Sequence, residues 1–215
     1  MRAMMVFDRA HWINHPAAVY RAESKPVQLS VAAGLGFAVP STLMTNDSTA
    51  RVEDILGTRI AIKSIDTLLL RDGEDQLFGY TQITNWNDVA TADLRYAPVT
   101  AQTAIEPKTD LRVTVVGDWI CCVAIRRHSA GIDGDWRLTP KHDIEIDDFE
   151  LPVEIEIRCL DLVRKLGLRF GAIDLALADD HYWFIEINPT GEWGWLDNAE
   201  RRISAAIARE LMCPA

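Results

Sequence analysis

The segment FGAIDLALADDHYWFIEINP (170–189) consists of two apolar, strand-like runs separated by a polar turn. This pattern predicts a β-hairpin. Asp174 lies on the first strand, and Glu186 and Asn188 lie on the second. Because side chains alternate along a strand, Glu186 and Asn188 share one face of the hairpin. The position of Asp174 relative to that face depends on the length of the turn.

In an antiparallel pair, Asp174 lies opposite Glu186 only if the loop between the two strands contains an odd number of residues. A three-residue loop, Asp179–His181, meets this condition, whereas a two-residue loop would place Asp174 and Glu186 on opposite faces. The three-residue loop also gathers apolar side chains on the reverse face. These are Ile173, Leu175, Leu177, Trp183, Ile185 and Ile187. We therefore predict the longer loop and one shared face for the three oxygen-bearing side chains.

Two carboxylates and one amide oxygen on a single sheet face are hard ligands of the kind that Mg²⁺ accepts, with water and phosphate oxygens completing the octahedron. The alternative is that these residues form a solvated rim beside the Pro-Thr-Gly turn that follows Asn188. Two facing carboxylates repel each other unless a cation lies between them. This repulsion favours the metal interpretation without excluding the other.

The rest of the chain combines hairpins with helices. The segment 111–125 predicts a second hairpin around Gly117-Asp118, and the segment 68–84 predicts a third around Asp72-Gly73. Helices are predicted over 26–33, 48–56 and 86–94, from Pro152 to Gly167, and over 198–211, while WINHP (12–16) is predicted to be extended. This order is typical of an α+β fold with antiparallel sheets.

Composition excludes several classes of function. The 215 residues carry a net charge of −10, which disfavours nucleic acid as a partner. We find no apolar run of the roughly 20 residues needed to cross a bilayer, so no membrane association is expected. The four cysteines have no C-x-x-C spacing, which favours reduced thiols and a cytoplasmic location over disulfides or zinc.

Several basic residues could face a phosphate group, although each has a simpler interpretation. Lys63 lies in an apolar strand, where a lysine also protects a sheet edge. Arg126, Arg127 and Arg137 could belong to a solvated loop, and Arg112 could pair with Asp110 on its own strand. The chain contains no P-loop and no G-x-G-x-x-G motif.

Taken in order, the motifs resemble the RimK-like branch of the ATP-grasp ligases. They are Lys63, Q-x-x-I (102–105), D-x-R-V-x-V-V-G (110–117), D-W-R (135–137), F-G-A-I-D (170–174) and F-I-E-I-N-P-x-G (184–191). Three further stretches resemble the ribosomal peptide maturases of that branch, which make graspetides of the microviridin type. These are WINHP (12–16), KPVQL (25–29) and VPSTLMTND (39–47).

The resemblance implies an ATP-grasp fold of the α+β class, in which the antiparallel sheets of two subdomains sandwich the nucleotide. By this reasoning residues 19–105 form the small subdomain with its lid, and residues 106–215 form the large subdomain with the magnesium site. Residues 1–18 would be the remnant of, or a linker to, a pre-ATP-grasp domain that the family carries before WINHP.

The resemblance also assigns roles to individual positions. Metal ligands for magnesium, or for manganese in its place, would be Asp174, Glu186 and Asn188. Nucleotide contacts would come from Lys25, Lys63, Asp110 near the ribose, and the hinge residues Gln102, Thr103, Ala104 and Ile105, whose backbone reads adenine. Arg126 and Arg137 would hold the phosphates and the acyl phosphate.

The implied reaction activates a carboxylate with ATP as an acyl phosphate, which a hydroxyl or amine then attacks to give an ester or amide. The implied partner is a ribosomal precursor peptide with a leader segment, and a homodimer is a further expectation. The alternatives are a truncated, non-catalytic ATP-grasp module that binds nucleotide or peptide, and a ligase for a small amino acid or a protein C-terminus.

Two positions depart from the family pattern. Thr103 stands where many relatives carry glutamate, so the adenine contact there would involve the backbone only. The segment 64–84 contains Gly73 and Gly79 but no glycine-rich phosphate flap, so the lid would work differently.

Overall fold

The structure of the protein is a computed structural model that describes residues 5–7, 9–65, 69–72, 75–90 and 94–212. The described residues form six α-helices. These are α1 (Pro16–Ala22), α2 (Lys25–Gly34), α3 (Val52–Leu56), α4 (Trp86–Ala90), α5 (Val153–Lys165) and α6 (Ile203–Met212). None of them is long and apolar enough to cross a bilayer.

The strands form three sheets. The first has the order β1 (Thr42–Thr45), β6 (Val99–Thr103), β2 (Arg59–Ser64) and β5 (Gln82–Asn85). The second has the order β11 (His181–Asn188), β10 (Phe170–Ala178), β7 (Thr109–Val116), β8 (Trp119–Arg127) and β9 (Ile144–Asp148). The third pairs β3 (Leu69–Asp72) with β4 (Asp75–Phe78).

The chain divides into two compact units that are each discontinuous in sequence. Unit one contains the residues up to Val39, the segment Asp110–Ile125 and the residues from Ile146 onward. Its core lies between one face of the five-stranded sheet and helices α2 and α5, where Leu111, Ile173 and Leu162 are fully buried. The opposite face of β7 and β10 carries the ion pair of Arg112 with Asp174, and nearer its end a small apolar cluster of Val116, Phe170 and Ala172 packs against α6.

Unit two contains Pro40–Thr109 and Arg126–Glu145. Its core lies on one face of the four-stranded sheet, where Ile60 and Ala101 pack against Val52, Leu56 and Trp86. Residues 19–39 therefore pack in unit one, although the sequence groups them with the small subdomain. Residues 126–145 pack in unit two. One contact that holds them there is the hydrogen bond from the N–H of Thr81, just before β5, to a carboxylate oxygen of Asp135.

The structure confirms the α+β class, the antiparallel hairpins and most of the helices. The hairpin at Asp72 exists, although its turn at 73–74 lies outside the described residues. Helix α1 was not predicted: His15 is extended, as expected before a proline, but Pro16 then begins a helix at the position where its missing N–H costs nothing. Helices α3 and α6 are shorter than predicted, and residues 91–93 of the predicted helix over 86–94 lie outside the described residues.

Candidate active site

The hairpin β10–β11 places Asp174 directly opposite Glu186, as the sequence predicts. The predicted three-residue loop is wrong. Ala178 pairs with His181, so the turn contains only Asp179 and Asp180. Both turn residues have positive φ, 49° and 60°, the geometry of a tight two-residue hairpin turn.

A β-bulge supplies the odd residue that the turn lacks. Asp174 pairs with Glu186, but Leu175 pairs with Phe184, so Ile185 is an extra residue on β11. The bulge restores the shared face that a two-residue turn would otherwise destroy. Our prediction of the face is therefore correct, although the loop that we gave as its cause is not.

The two-residue turn also changes the composition of the reverse face. Phe184 and Tyr182, rather than Ile185 and Trp183, pack with the apolar layer of unit one. Phe184 is fully buried and lies against the ring of Phe37, and Ile187 is fully buried in the same layer. Burial of both side chains favours the bulged register, because an unbulged strand with the same turn would place Glu186 in the apolar layer and Ile187 on the opposite face.

Asn188 completes the polar face. It pairs across the hairpin with Ala172, and its amide donates a 3.4 Å hydrogen bond to Oε1 of Glu186. The backbone of Gly191 packs closely against Ala172 and Asn188. A Cβ atom at position 191 would lie 2.6 Å from that of Ala172 and 3.1 Å from that of Asn188. Two carboxylates and an amide thus converge on one surface of the sheet.

Arg112 on β7 lies beside this cluster. Its Nη1 donates a 2.7 Å hydrogen bond to Oδ1 of Asp174, and the residue is only 7% exposed. Its Nε is buried and has no hydrogen-bond partner among the described residues. Sequence reasoning offered Asp110 as the partner of Arg112 and did not connect Arg112 with Asp174. The guanidinium offsets the charge of a carboxylate that is four-fifths buried.

Asn14, from the WINHP segment, fastens the base of the hairpin. Its amide nitrogen donates to the carbonyl oxygens of Phe170 and Pro189 at 2.7 and 2.8 Å. Its amide oxygen accepts from the N–H groups of Arg169 and Phe170 at 2.6 and 2.8 Å. One buried side chain therefore joins the start of β10 to the loop that follows β11.

Gln28, from the KPVQL segment, bonds to the outer edge of β11. Its amide accepts from the N–H of Ile187 at 3.1 Å and donates to the carbonyl oxygen of the same residue at 2.9 Å. Ile187 lies between Glu186 and Asn188 in the sequence. Sequence reasoning assigned no role to either Asn14 or Gln28.

The donor set of this face fits a magnesium ion. Asp174, Glu186 and Asn188 supply oxygen atoms only, and Mg²⁺ is typically held by one or two carboxylates with water and phosphate. In the described part of the chain, no group of three or more His, Cys, Asp and Glu side chains could hold a metal. A set of two carboxylates and one amide is compatible with that finding.

Unit two contains the predicted phosphate-contacting lysine. Lys63 is half-buried on β2 and pairs with Thr100. Two residues along the same strands, Ala61 pairs with Gln102. Lys63 and Gln102 therefore share the face opposite the core of unit two. Gln102 is buried and donates to the hydroxyl of Thr42 at 2.9 Å.

The hinge residues use most of their backbone donors within unit two. The N–H of Thr103 donates to Ser41, and that of Ala104 donates to Arg59. The hydroxyl of Thr103 bonds to the carbonyl oxygen of Leu56, so this side chain faces the core of its unit. No hydrogen bond among the described residues uses the N–H of Ile105, which leaves it as a backbone donor at the hinge.

Arg137 is held by Asp135 in a two-pronged ion pair. Its Nε and Nη2 lie 2.8 and 2.7 Å from the two carboxylate oxygens. Burial alone would raise the pKa of Asp135. The hydrogen bonds and charge of Arg137, together with the N–H of Thr81, have the larger opposite effect, so the pKa lies below its ordinary value. The guanidinium of Arg137 remains 44% exposed. The D-W-R block is therefore an ordered turn in which Asp135 holds the side chain of Arg137, and not a solvated loop.

The remaining predicted residues lie on regular elements. Arg126 is half-buried near the end of β8 in unit two. Lys25 is the first residue of α2 in unit one. Asp110 lies on β7 in unit one and pairs with Ile125 on β8. It precedes Arg112 by two residues, so both side chains lie on the same face of β7.

The described cysteines, Cys121, Cys122 and Cys159, are free. Burial raises the pKa of the Cys121 thiol to about 11 and that of Cys159 to about 12. These thiols are protonated at neutral pH and are poor nucleophiles. Cys213 lies outside the described residues.

No protein-family model matches the chain, and no curated protein sequence matches it. Solved structures do. A RiPP-associated ATP-grasp ligase from Chryseobacterium gregarium, in complex with ADP and a leader and core peptide, is 32% identical with a TM-score of 0.81, over 94% of this chain and 63% of that chain. The macrocyclase MdnC from Microcystis aeruginosa MRC, bound to its precursor peptide MdnA, is 31% identical with a TM-score of 0.78, over 94% and 65%.

The ATP-grasp ligase PsnB, complexed with a minimal precursor, Mg and ADP, is 25% identical with a TM-score of 0.67, over 92% of this chain and 61% of that chain. The chain thus spans less than two thirds of the length of each of these proteins. The two sheets match theirs in fold. The chain therefore has the ATP-grasp fold, and over more than nine tenths of its own length it is similar to RiPP-associated ATP-grasp ligases.

Proposed function

We propose that the chain is an ATP- and magnesium-dependent ligase that forms ester or amide bonds within a ribosomal precursor peptide. The observation that carries this proposal is the pairing of Asp174 with Glu186 on one sheet face, with Asn188 beside them. The similarity to RiPP-associated ligases that were solved with ADP and peptide supports the same reaction class.

Asp174, Glu186 and Asn188 would hold the magnesium ion, and manganese is the expected substitute because it accepts the same oxygen ligands. When bound, the ion supplies positive charge to the phosphate oxygens during phosphoryl transfer. Arg112 holds the carboxylate of Asp174 in place through the 2.7 Å hydrogen bond, so this ligand is ordered before the ion arrives.

The reaction has two steps. A carboxylate oxygen of the peptide bonds to the γ-phosphorus of ATP as the bond to ADP breaks, which gives an acyl phosphate. A hydroxyl or amine then attacks the acyl carbon, loses its proton, and phosphate leaves. Phosphoryl transfer of this kind depends on positioning and charge neutralisation more than on covalent help from the protein.

Charge neutralisation is the role that we propose for the basic residues. Lys63 and Lys25 would contact nucleotide phosphates, and Arg126 and Arg137 would hold the phosphates and the acyl phosphate. Arg137 suits this role because Asp135 orients its planar guanidinium while leaving part of it exposed.

Adenine would be read by the hinge backbone, Gln102–Ile105, with Asp110 near the ribose. Because Thr103 and Ala104 donate their N–H groups within unit two, we assign the adenine-facing donor to the N–H of Ile105. The hydroxyl of Thr103 is also engaged and would not contact the base.

The test is ADP release measured with and without magnesium, over a panel of peptides that contain Thr or Lys together with Asp or Glu. We expect release to require both magnesium and an acidic-residue peptide, and the peptide to lose one water for each bond formed. Nucleotide binding without turnover would indicate a binding module instead. Turnover with free amino acids would indicate a small-molecule ligase. A homodimer and a cytoplasmic location stay predictions.

A further inference from the structure

The outer edge of β11 is covered by side chain and loop groups in place of a neighbouring strand. β11 is the terminal strand of its sheet, so half of its backbone groups point away from β10. Gln28 occupies this edge at Ile187, where its amide accepts from the N–H at 3.1 Å and donates to the carbonyl oxygen at 2.9 Å. The amide therefore makes the pair of bonds that a residue of an adjacent strand would make.

Gln28 is itself fixed. It is 4% exposed, and its amide nitrogen also donates to the carbonyl oxygen of Ala22 at 2.6 Å. Both N–H groups and the carbonyl oxygen of the side chain are thus engaged. A fully satisfied buried amide has a defined orientation, because rotating it would exchange donors for acceptors.

A second edge contact lies on the other side of the bulge. The N–H of Phe184 donates to the carbonyl oxygen of Ala38 at 2.8 Å. The two contacts enclose Ile185 and Glu186, which are the extra residue of the bulge and the residue that the bulge turns toward Asp174. β11 is therefore held at one point before the bulge and at one point after it.

These contacts hold backbone groups and do not depend on the side chain of the residue they hold. After a one-residue slip that turned Glu186 to the apolar face, the backbone groups of Glu186 would replace those of Ile187 opposite Gln28. Burial of Ile187, which is 1% exposed in the core of unit one, opposes that slip. Gln28 then fixes the backbone between Glu186 and Asn188 in the register that burial of Ile187 selects.

We propose that Gln28 is a positioning residue that fixes the backbone of β11 at Ile187 and thereby holds Glu186 and Asn188 in place for a divalent cation. This inference rests on the proposed function only in placing the cation at these residues. Gln28 contacts neither the carboxylates nor the cation, and it acts through the backbone of Ile187.

The experiment compares Gln28→Met, which keeps the length of the side chain but not its hydrogen bonds, with wild type and with Leu162→Ala. Leu162 is fully buried in the core of the same unit and contacts no candidate ligand, so it controls for a general loss of stability. Binding of Mn²⁺ in the presence of ADP is followed by the electron paramagnetic resonance signal of the free ion. Hydrogen–deuterium exchange of residues 184–188 is measured in parallel.

We expect Gln28→Met to raise the Kd for Mn²⁺ by about tenfold or more, as is typical when a group that orients a ligand is removed. Exchange of the 184–188 segment should accelerate. Leu162→Ala should lower the unfolding midpoint while leaving the Kd within about twofold of wild type. Gln28→Glu, which retains an acceptor for the N–H of Ile187, should give an intermediate Kd and serves if Gln28→Met does not fold.

A wild-type Kd in folded Gln28→Met, or an equal rise in Leu162→Ala, would overturn the proposal. The two hypotheses fail differently. If the wild-type protein binds no Mn²⁺ with ADP, the metal site of the proposed function is wrong. If it binds Mn²⁺ but the variants do not differ, only the positioning role is wrong.

Discussion

The candidate metal ligands of unit one and the candidate phosphate contacts of unit two are built in different ways. Asp174, Glu186 and Asn188 have short side chains whose positions follow from strand register and a bulge. Lys63 and Arg137 have long side chains, one on a strand and one on a short 3₁₀ turn. Metal coordination needs fixed distances, whereas a flexible cation reaches a phosphate from several positions.

The supporting contacts differ in the same sense. In unit one, the buried side-chain amides of Asn14 and Gln28 form hydrogen bonds to the backbone near the candidate ligands, at the base of the hairpin and at its edge. In unit two, the carboxylate of Asp135 grips the Arg137 side chain directly. The comparison indicates that unit one tolerates almost no change in the strand register around its ligands, while unit two tolerates changes in side-chain length. The following substitutions test this difference.

The largest effect is expected from Glu186→Gln. The substitution preserves shape but removes one of the two negative charges that would hold the cation, so we expect turnover to fall about 1,000-fold or more. The thermal unfolding midpoint should stay near the wild-type value, because Glu186 is only half-buried. ADP release and circular dichroism measure the two quantities. Retained activity would show that the metal assignment is wrong.

Lys63→Met should have a smaller effect, about 100-fold on kcat/KM for ATP, because one phosphate contact is lost while the metal site remains. Lys63→Arg should recover most of the activity, since a longer cation reaches the same phosphate from the same strand. The corresponding conservative change in unit one, Glu186→Asp, should recover little. Equal recovery in both pairs would contradict the contrast between the units.

The sequence was sufficient for the elements and insufficient for the register. Periodicity and turn residues located the hairpins at 111–125 and 170–189, since these signals are local. The bulge at Ile185 was missed because the sequence contains no glycine or proline there to mark it. Its cause is distant in the chain: Phe184 is buried against Phe37 on one side of the bulge, and Ile187 is buried in the same core on the other side.

The supporting polar residues were missed for the same reason. Asn14 and Gln28 contact residues more than 150 positions away, and no local pattern reveals such a pairing. One signal was present: each is a polar residue within a stretch, WINHP or KPVQL, that resembles the peptide maturases, and neither residue had an assigned role. Arg112 also lacked an assigned partner outside its own strand, and its ion pair with Asp174 crosses to β10.

Asp135→Asn should reduce kcat/KM by about tenfold, since the neutral amide holds Arg137 with one acceptor in place of two charged ones. It should also flatten the acid limb of the stability profile. The folded-state pKa of Asp135 lies below its ordinary value, so its contribution to stability is complete above the unfolded pKa and is lost as the pH falls through the folded pKa.

The stability difference between wild type and Asp135→Asn should therefore be greatest near neutral pH and should shrink as the solution is acidified below about pH 4, the ordinary range for aspartate. Urea unfolding across this range measures it. A difference that does not vary with pH would mean that Asp135 and Arg137 do not form the ion pair in solution.

Deleting Ile185 should have the smallest effect, and it tests most directly what the bulge contributes. Because Leu175 pairs with Phe184 and Asp174 pairs with Glu186, removing the residue between them leaves both pairs intact in a regular strand. The edge bonds at Phe184 and Ile187 also remain compatible with that strand, since the two residues would then be two positions apart and point to the same side. We expect ADP release within about fivefold of wild type.

The control is the exchanged pair I185E/E186I, which keeps the length and composition of β11 but moves the carboxylate onto the bulge. It should be as inactive as Glu186→Gln, because the carboxylate no longer lies opposite Asp174. If deletion of Ile185 instead abolishes activity in a folded protein, the local twist of the bulge is itself required, and register alone does not define the metal site. If both variants are active, the register of β11 does not determine the site, and the contrast between the two units is not a property of the molecule.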